Sequence, residues 1–428
     1  LIKGFATYLN ADAATGNGPD DTANHAVVVA KLVSDQGFGD PIGGIAITST
    51  VSDDAFRKML AKNIDVGMSS RRITPEEARA LKAAGAGLMI DPARETIVAA
   101  DALVMIVNPS NPVTSISIGD IARIYSGAVT NWSELGGSDL PITVVVRPDS
   151  AGTQSAFNER IFGGPAIGAP AVLEVAKTNR AAADSVNAIP GAIGYVGQAF
   201  ARGAKTLPIV NECGISELPD EFSAKTGEYA IVDPLYLYTP ATLDSDLARD
   251  FIAYTSSEGA DQVIAQAGFV DFGVAMRDQG SDSARAAILA NPSGDVFEQK
   301  FVADMLARMQ GTVRLSTTFR FRAGSTSLDP RGELDLQRLI KALSDMPGGT
   351  TVTLVGFSDT DGEFEPNIGV SKKRADIVAK ALTAAAGTSL ANLTIDTIGY
   401  GEIAPVACNN SSSGREINRR VEVWVSQG

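Results

Sequence analysis

Histidine is nearly absent from this chain. His25 is the one copy among 428 residues, and cysteine occurs twice, at Cys213 and Cys408. No CxxC pair or Cys/His cluster exists, so a zinc site of the usual kind is excluded and no metal or other cofactor is expected. A hydrolytic triad would have to use His25, which lies in Ala23-Asn24-His25-Ala26 with no nucleophile motif beside it. It reads as a surface histidine. The cysteines stand too far apart to suggest a disulfide framework, and the sequence leaves their state open. No stretch reaches the roughly 18 apolar residues that a membrane-spanning helix needs. The most apolar one, Ile97 to Val107, reads as a buried strand. Positive charge is also in deficit: 36 Lys and Arg against 50 Asp and Glu give a net charge of −14. A surface so balanced repels nucleic acid and anionic lipid, which removes both as expected partners. The chain begins at Leu1 and shows no charged-then-apolar leader, as expected of a processed or partial chain.

What is present is an ordinary globular composition, 44% apolar and 20% charged. That excludes collagen, coiled coil and wholesale disorder. The length predicts two or three domains. From Leu1 to about Asp271, helical and strand patterns alternate. Leu1–Leu9 has helical spacing, Thr15–Ala23 reads as a loop, and Ser52 is a candidate N-cap before Phe56, Met59 and Leu60. Ile64–Met68 reads as a short strand. Thr74-Pro75-Glu76-Glu77 is a strong helix start. With Ile97–Val107 and Ile142–Val146 as buried strands, the pattern predicts an α/β domain with a mostly parallel sheet. Residues 272–311 read as a linker with short helices. From about Thr312 the pattern is strand Thr317–Phe321, helix Leu334–Leu343, strand Thr351–Gly356, helix Ser371–Ala384, then strands Thr394–Gly399 and Arg420–Val425. That is a compact α/β sandwich of ordinary domain size.

The most specific motif lies in this last section. Strand Thr351–Gly356 runs into Phe357-Ser358-Asp359-Thr360-Asp361-Gly362. Then come Asn367, Val370-Ser371-Lys372-Lys373-Arg374-Ala375, Gly399-Tyr400-Gly401-Glu402, Gly414-Arg415 and Asn418-Arg419-Arg420-Val421. Asp359 sits at the C-terminal end of a strand, where α/β sheets place ligands. A carboxylate takes an ammonium group, and a guanidinium holds a carboxylate by two parallel hydrogen bonds. Asp359 and Arg374 together match the zwitterionic end of an amino acid. By spacing alone, the pair also fits an ordinary surface salt bridge. Over about Thr318–Val425 the constellation resembles the OmpA C-terminal-like domain. The resemblance implies non-covalent binding of the diaminopimelate of peptidoglycan, with Asp359 on the ammonium, Arg374 on the carboxylate, and Asn367 and Arg419 supporting the pocket. Phe357 and Ser358 replace that family's His and Thr, and Arg322 stands where it has an acid.

Closer to the N-terminus, strand Ile142–Val146 ends in Arg147, followed by Pro148-Asp149-Ser150-Ala151-Gly152-Thr153 and a helix, Gln154–Ile161. Such a turn aims backbone N–H groups and the positive helix end at one point, and Arg147 adds a charge. The same residues also make a plain N-cap. A second polar turn, Ser69-Ser70-Arg71-Arg72, and a third at Ser52 suggest hydroxyls lining one cleft. Leu1 to about Gly268 resembles the phosphate-binding periplasmic proteins of ABC transporters. The resemblance rests on Ile64–Arg71, Ala99–Pro109, Ile118–Trp132, Arg147–Thr153 and Pro190–Tyr195. It implies two lobes, one of residues 1–100 plus about 229–271 and one of 101–228, with hinged closure. It also implies an anion held by Ser52, Ser70, Arg147, Gly152 and Thr153. Four departures stand out. Ala151 replaces a serine, Ser70 stands where the family has an aspartate, and Asp53 and Asp54 put negative charge beside Ser52. Leu1 also falls inside that family's first helix, which implies that its first strand is missing here. Tyr125–Trp132 reads as core and turn.

Three functions follow as candidates. One is a non-enzymatic periplasmic receptor for phosphate or a similar small anion, fixed to peptidoglycan in a Gram-negative envelope, with an ABC transporter or other envelope protein as partner. Another is a structural envelope protein whose N-terminal domain has lost its ligand. The third, an enzyme, has no nucleophile–base pair or metal cluster to support it.

Overall fold

In the computed structural model, residues 1–17, 27–48, 52–91, 93–149, 151–164, 172–279, 285, 289, 296–321 and 330–426 are described. His25, Ser150 and Arg322 lie outside the described residues. The chain forms two compact units. One joins Leu1–Asp101 to Asp233–Gly273, and the other joins Ala102–Val232 to Val274–Gly428.

The first unit opens with helix Ile2–Tyr8, whose Phe5 is fully buried against Leu32, Tyr254 and Ile264. Strands Ala11–Asn17, Val27–Ser34 and Pro41–Thr48 form an antiparallel meander. Of the loop expected over Thr15–Ala23, Thr15–Asn17 belong to the first of these strands, and residues 18–23 lie outside the described residues. The small and polar residues of that strand have weak strand preference, and pairing with the Val-rich second strand overrides it. Helix Ser52–Leu60 turns Phe56 and Met59 inward. The expected strand at Ile64 starts only at Gly67 and runs to Ser69, antiparallel to Tyr236–Tyr238. Helix Pro75–Ala83 begins at the expected capping box. The Thr74 side chain accepts from the Glu77 N–H, and the Glu77 carboxylate accepts from the Thr74 N–H.

In the second unit, the strand entering from Glu95 ends at Val107. From Leu103 on, it is buried between two antiparallel neighbours, Ala192–Gly197 and Lys205–Leu207. Strand Thr143–Val146 pairs parallel to both Ala192–Gly197 and Leu173–Val175. The sheet is therefore mixed rather than mostly parallel. Val/Ile-rich runs mark burial and are silent on direction. Tyr125 and Trp132 are buried in this core, as read from the sequence.

The C-terminal sheet of the same unit has the strand order Met276–Asp278, Val313–Arg320, Arg420–Ser426, Thr351–Gly356, Thr394–Gly399. Only the last pair is parallel. Helices Pro330–Ser344 and Phe364–Ala386 accompany it, and Leu339, Leu343, Val378 and Leu382 are buried in the shared core. The segment expected as a linker thus supplies an edge strand, Met276–Asp278, and a longer helix, Val296–Met309. Within this unit the C-terminal sheet is fastened to the residues around 210–228. Cys213 and Cys408 form a disulfide. Arg314 pairs with Glu228 and Arg277 with Asp220, and both guanidiniums lie over the Phe222 ring.

Candidate binding sites

The C-terminal site is built where strand Thr351–Gly356 ends and helix Phe364–Ala386 crosses it. Gly356 and Gly399 allow the helix to lie against the sheet, since a Cβ at either would run into the backbone of Ser371 or Lys372. This close approach puts Arg374 in the third turn of the helix, not near its start as the sequence suggested. Asp359, Asn367, Arg374 and Arg419 are all nearly buried. Arg419 Nη1 donates to Asp359 Oδ2, and its Nε donates to the Phe321 carbonyl at 3.1 Å. The Asp361 N–H reaches Asp359 Oδ1 at 3.4 Å. Asn367 Nδ2 donates to the Asp359 carbonyl at 3.3 Å and to Glu402 Oε2 at 2.7 Å.

Arg374 is different. Its guanidinium lies 5.6 Å from the Phe321 ring centroid, and its Nη1 has no hydrogen-bond partner among the described residues. Burial, helped by the charge of Arg419, lowers its pKa, and Asp359 opposes the shift. An orphaned, buried guanidinium nitrogen is costly unless an acceptor arrives. Ser358 Oγ, also buried, lacks a partner among the described residues. Spacing alone also allowed an Asp359–Arg374 salt bridge, but the partner of Asp359 is Arg419. Glu402 and Ser358 were quoted in the motif without a role. The hydrogen bond from Asn367 is what singles out Glu402.

Two further groups of expected residues occupy separate units. In the first unit, Ser52 Oγ and Ser70 Oγ lie 3.2 Å apart, and the Ser70 N–H donates to Ser52 Oγ at 3.1 Å. The acids beside Ser52 are neutralised: Asp53 pairs with Arg71, and Asp54 with Arg57. Arg71 also holds Glu77 through two hydrogen bonds of 2.8 and 2.9 Å, which brings the Glu77 carboxyl down to about 2. Arg72 is bound by Glu95. Neither arginine is an uncommitted cation.

In the second unit, Arg147 follows its strand and Gly152 opens helix Gly152–Phe162, two residues earlier than Gln154. Ala151 sits at the N-cap and provides no side-chain cap. Arg147 Nε donates to the Ala176 carbonyl at 3.0 Å, Nη2 to the Lys177 carbonyl at 3.1 Å, and Nη1 to Thr153 Oγ1 at 3.4 Å and to Asn179 Oδ1. Every one of these acceptors is neutral. Burial lowers the Arg147 pKa, and among the described residues no carboxylate cancels its charge. The backbone N–H of Arg147 donates to Gln154 Oε1 at 3.1 Å and to the Tyr195 hydroxyl at 3.3 Å. The sequence assigned no site role to Gln154, Asn179 or Tyr195, because Arg147, their shared partner, lies 7, 32 and 48 positions away.

Two family models match the chain. Residues 15–259 match the PBP superfamily domain, and residues 320–419 match the OmpA family. The phosphate-binding protein PstS of Bacillus subtilis is 31% identical over 38% of this chain, a match spanning about half (53%) of its own length. The PstS of Borreliella burgdorferi is 25% identical over 48% of this chain and 71% of its own. The probable lipoprotein YiaD of Escherichia coli is 35% identical over 25% of this chain and 47% of its own. A solved ABC-type phosphate transport receptor from Vibrio cholerae aligns over 55% of this chain and 86% of its own, with 24% identity and a TM-score of 0.43. More than half of this chain lies within the superfamily match, so it belongs to the PBP superfamily and carries an OmpA family domain at its C-terminal end.

Proposed function

We propose that this chain is a non-enzymatic phosphate-binding protein of the periplasm, held on peptidoglycan by its C-terminal domain. The observation that carries the reading is a pair of arginines with unmet capacity for an anion. Arg147 is a charge surrounded by neutral acceptors, next to a helix start with no side-chain cap. Arg374 is a buried guanidinium with an unpartnered nitrogen. Phosphate suits the first, because helix N-termini and guanidinium groups both favour it. Gly152 and Thr153, beside Arg147 in the same unit, supply further donors to phosphate. The carboxylate of diaminopimelate suits Arg374, with Asp359, Asn367 and Arg419 shaping the pocket. The names of the relatives, phosphate-binding proteins on one side and a probable lipoprotein on the other, support both halves. The compartment is that of a Gram-negative envelope, and an ABC transporter is a candidate partner. A receptor fixed to the wall serves retention or sensing of phosphate as readily as its delivery.

Calorimetric titration of the full chain tests the phosphate half. Saturable binding of phosphate, at least about tenfold weaker in Arg147→Ala, is expected from the loss of a charge-assisted contact. Sulfate, which carries no proton at neutral pH, serves as control. Absence of heat with both anions overturns the assignment. It would favour the second reading, a structural envelope protein, which draws on Ala151 and on the commitment of all three Arg147 nitrogens to the protein itself.

A further inference from the structure

The chain passes between its two units after Asp101, before Asp233 and after Gly273. The strands at the first two crossings, Glu95–Val107 and Val232–Tyr238, are neighbours in one sheet. The Thr239 N–H donates to the Arg94 carbonyl at 3.0 Å, and the Leu103 N–H donates to the Ile231 carbonyl at 2.9 Å, so the two strands run antiparallel. Counted two residues on from the second bond, Asp101 stands opposite Asp233. Side chains directly opposite one another share a face, about 5 Å apart at Cβ, and like charges there are destabilising. Pro234 has no N–H to give to the ladder beside them. The pairing at the crossing therefore lacks one donor and carries two acids face to face.

The surroundings decide which acid keeps a proton. Both are half-buried, and no cation among the described residues pairs with Asp101. On the far side of the Asp101 strand, Ala100 exchanges two backbone hydrogen bonds of 2.8 Å with Val270. The next residue there, Asp271, lies with Asp261 around Gly273, which adds two more acids. Beside the other strand, Arg160 Nη2 donates to the Val232 carbonyl at 2.7 Å and brings a cation next to Asp233 in the chain. The Tyr229 hydroxyl donates to the Leu103 carbonyl at 3.1 Å, and burial drives its pKa up, so it stays neutral. Asp233 is thus the acid better placed to stay ionised. Burial first, and the charge of Asp233 second, push the Asp101 carboxyl up to about 6.

We propose that Asp101 and Asp233 share one proton across the strand pair, which makes the crossing between the units a pH-sensitive joint. In acid, the Asp101 carboxyl donates to the Asp233 carboxylate and the strands stay paired. As pH rises, that proton leaves to water, two like charges face each other, and the pair opens more often. The sign follows from linkage. A carboxyl raised in the folded state contributes its full stability below the unfolded value near 3.8, and the contribution is lost as pH rises through about 6.

Amide hydrogen exchange of the full chain tests the joint. It is read in peptides over residues 98–104 and 230–236 from about pH 4.5 to 7.5, corrected for the intrinsic exchange rate at each pH. Wild type is expected to lose protection there by about tenfold or more, with a midpoint near pH 6, as a carboxyl displaced from 3.8 to about 6 implies. Asp101→Asn is expected to keep the same protection across the range. Asp233→Asn removes the opposing charge and is expected to move the midpoint to lower pH. Protection across strand Thr351–Gly356 reports whether each variant is folded. A flat wild-type profile overturns the joint and needs no variant to do so. A profile left unmoved by Asp101→Asn, or a midpoint left unmoved by Asp233→Asn, overturns the shared proton.

Discussion

Glu217 shows how much a single side chain is asked to do in this molecule. It is almost buried, accepts from Asn211 Nδ2 at 3.2 Å through Oε1, and leaves Oε2 without a partner among the described residues. Burial, with a smaller contribution from Glu228, pushes its carboxyl up to about 7. A carboxyl raised in the folded state favours folding while it is protonated. That contribution is complete below the unfolded value near 4.5 and is lost as pH rises through about 7. The full effect is on the order of 3 kcal/mol. Urea unfolding at pH 5 and pH 8 is expected to show Glu217→Gln less pH-sensitive than wild type, and more stable than wild type at pH 8. Equal pH dependence of the two proteins would mean that Glu217 is not held neutral. At this scale the sequence was informative about residue identity and uninformative about pairing. Asp359, Asn367, Arg374 and Arg419 stand out by chemistry and order. That Asp359 meets Arg419, 60 positions on, follows only from strand Arg420–Ser426 lying beside strand Thr351–Gly356.

At the scale of the element, helix Phe364–Ala386 decides the geometry of the C-terminal pocket. Strands Thr351–Gly356 and Thr394–Gly399 were legible to the residue, because β-branched runs bounded by glycine have few other readings. The helix start was not. The helix expected from Ser371 starts at Phe364, and Pro366 lies in its first turn, where the missing N–H has no intrahelical acceptor to lose. The two extra turns carry Asn367 into the site and move Arg374 away from the helix end. Their packing depends on Gly356, whose missing Cβ leaves room for the Ser371 carbonyl. Gly356→Ala must push helix and strand apart. Overpacking of this kind costs about 1–3 kcal/mol, and it displaces Ser371 and Arg374 together. The expected outcome is a lower melting temperature with loss of diaminopimelate binding, while phosphate binding in the other domain persists. Loss of phosphate binding as well would show global unfolding in place of a local shift. The expected parallel sheet failed for a related reason. Thr143–Val146 and Leu103–Val107 are both short, largely apolar, valine-containing runs, yet the first pairs parallel and the second antiparallel with the same strand, Ala192–Gly197.

On the scale of the whole molecule, the question is whether the C-terminal domain hangs from a tether or is fixed to its neighbour. A linker over 272–311 implied a tether. The second unit has instead a continuous joint. The Cys213–Cys408 disulfide lies at one end, with Asn410 donating to Glu212 at 3.0 Å beside it. Arg277 and Arg314 lie over Phe222, and Arg320 donates to the carbonyls of Thr226 and Gly227. Glu422, buried among Arg285, Arg314 and Arg420, ties Arg314 back into the C-terminal sheet. Spacing could not reveal this, because the cysteines are 195 positions apart and neither lies in a recognisable cysteine motif. A crosslink closing so long a loop removes much of the freedom of the unfolded chain, and its loss costs about 2–5 kcal/mol. The Cys213→Ser/Cys408→Ser double variant is therefore expected to unfold at clearly lower denaturant concentration than the oxidised wild type. Reduced wild type should match the variant. The arginine contacts remain in both, so diaminopimelate and phosphate affinities are expected to survive below the transition. If reduction leaves the midpoint unchanged, the joint is carried by Phe222 and its arginines alone. An Arg314→Ala variant, which strands Glu228 as a buried charge and takes away one of the three arginines around Glu422, should then be the more damaging change.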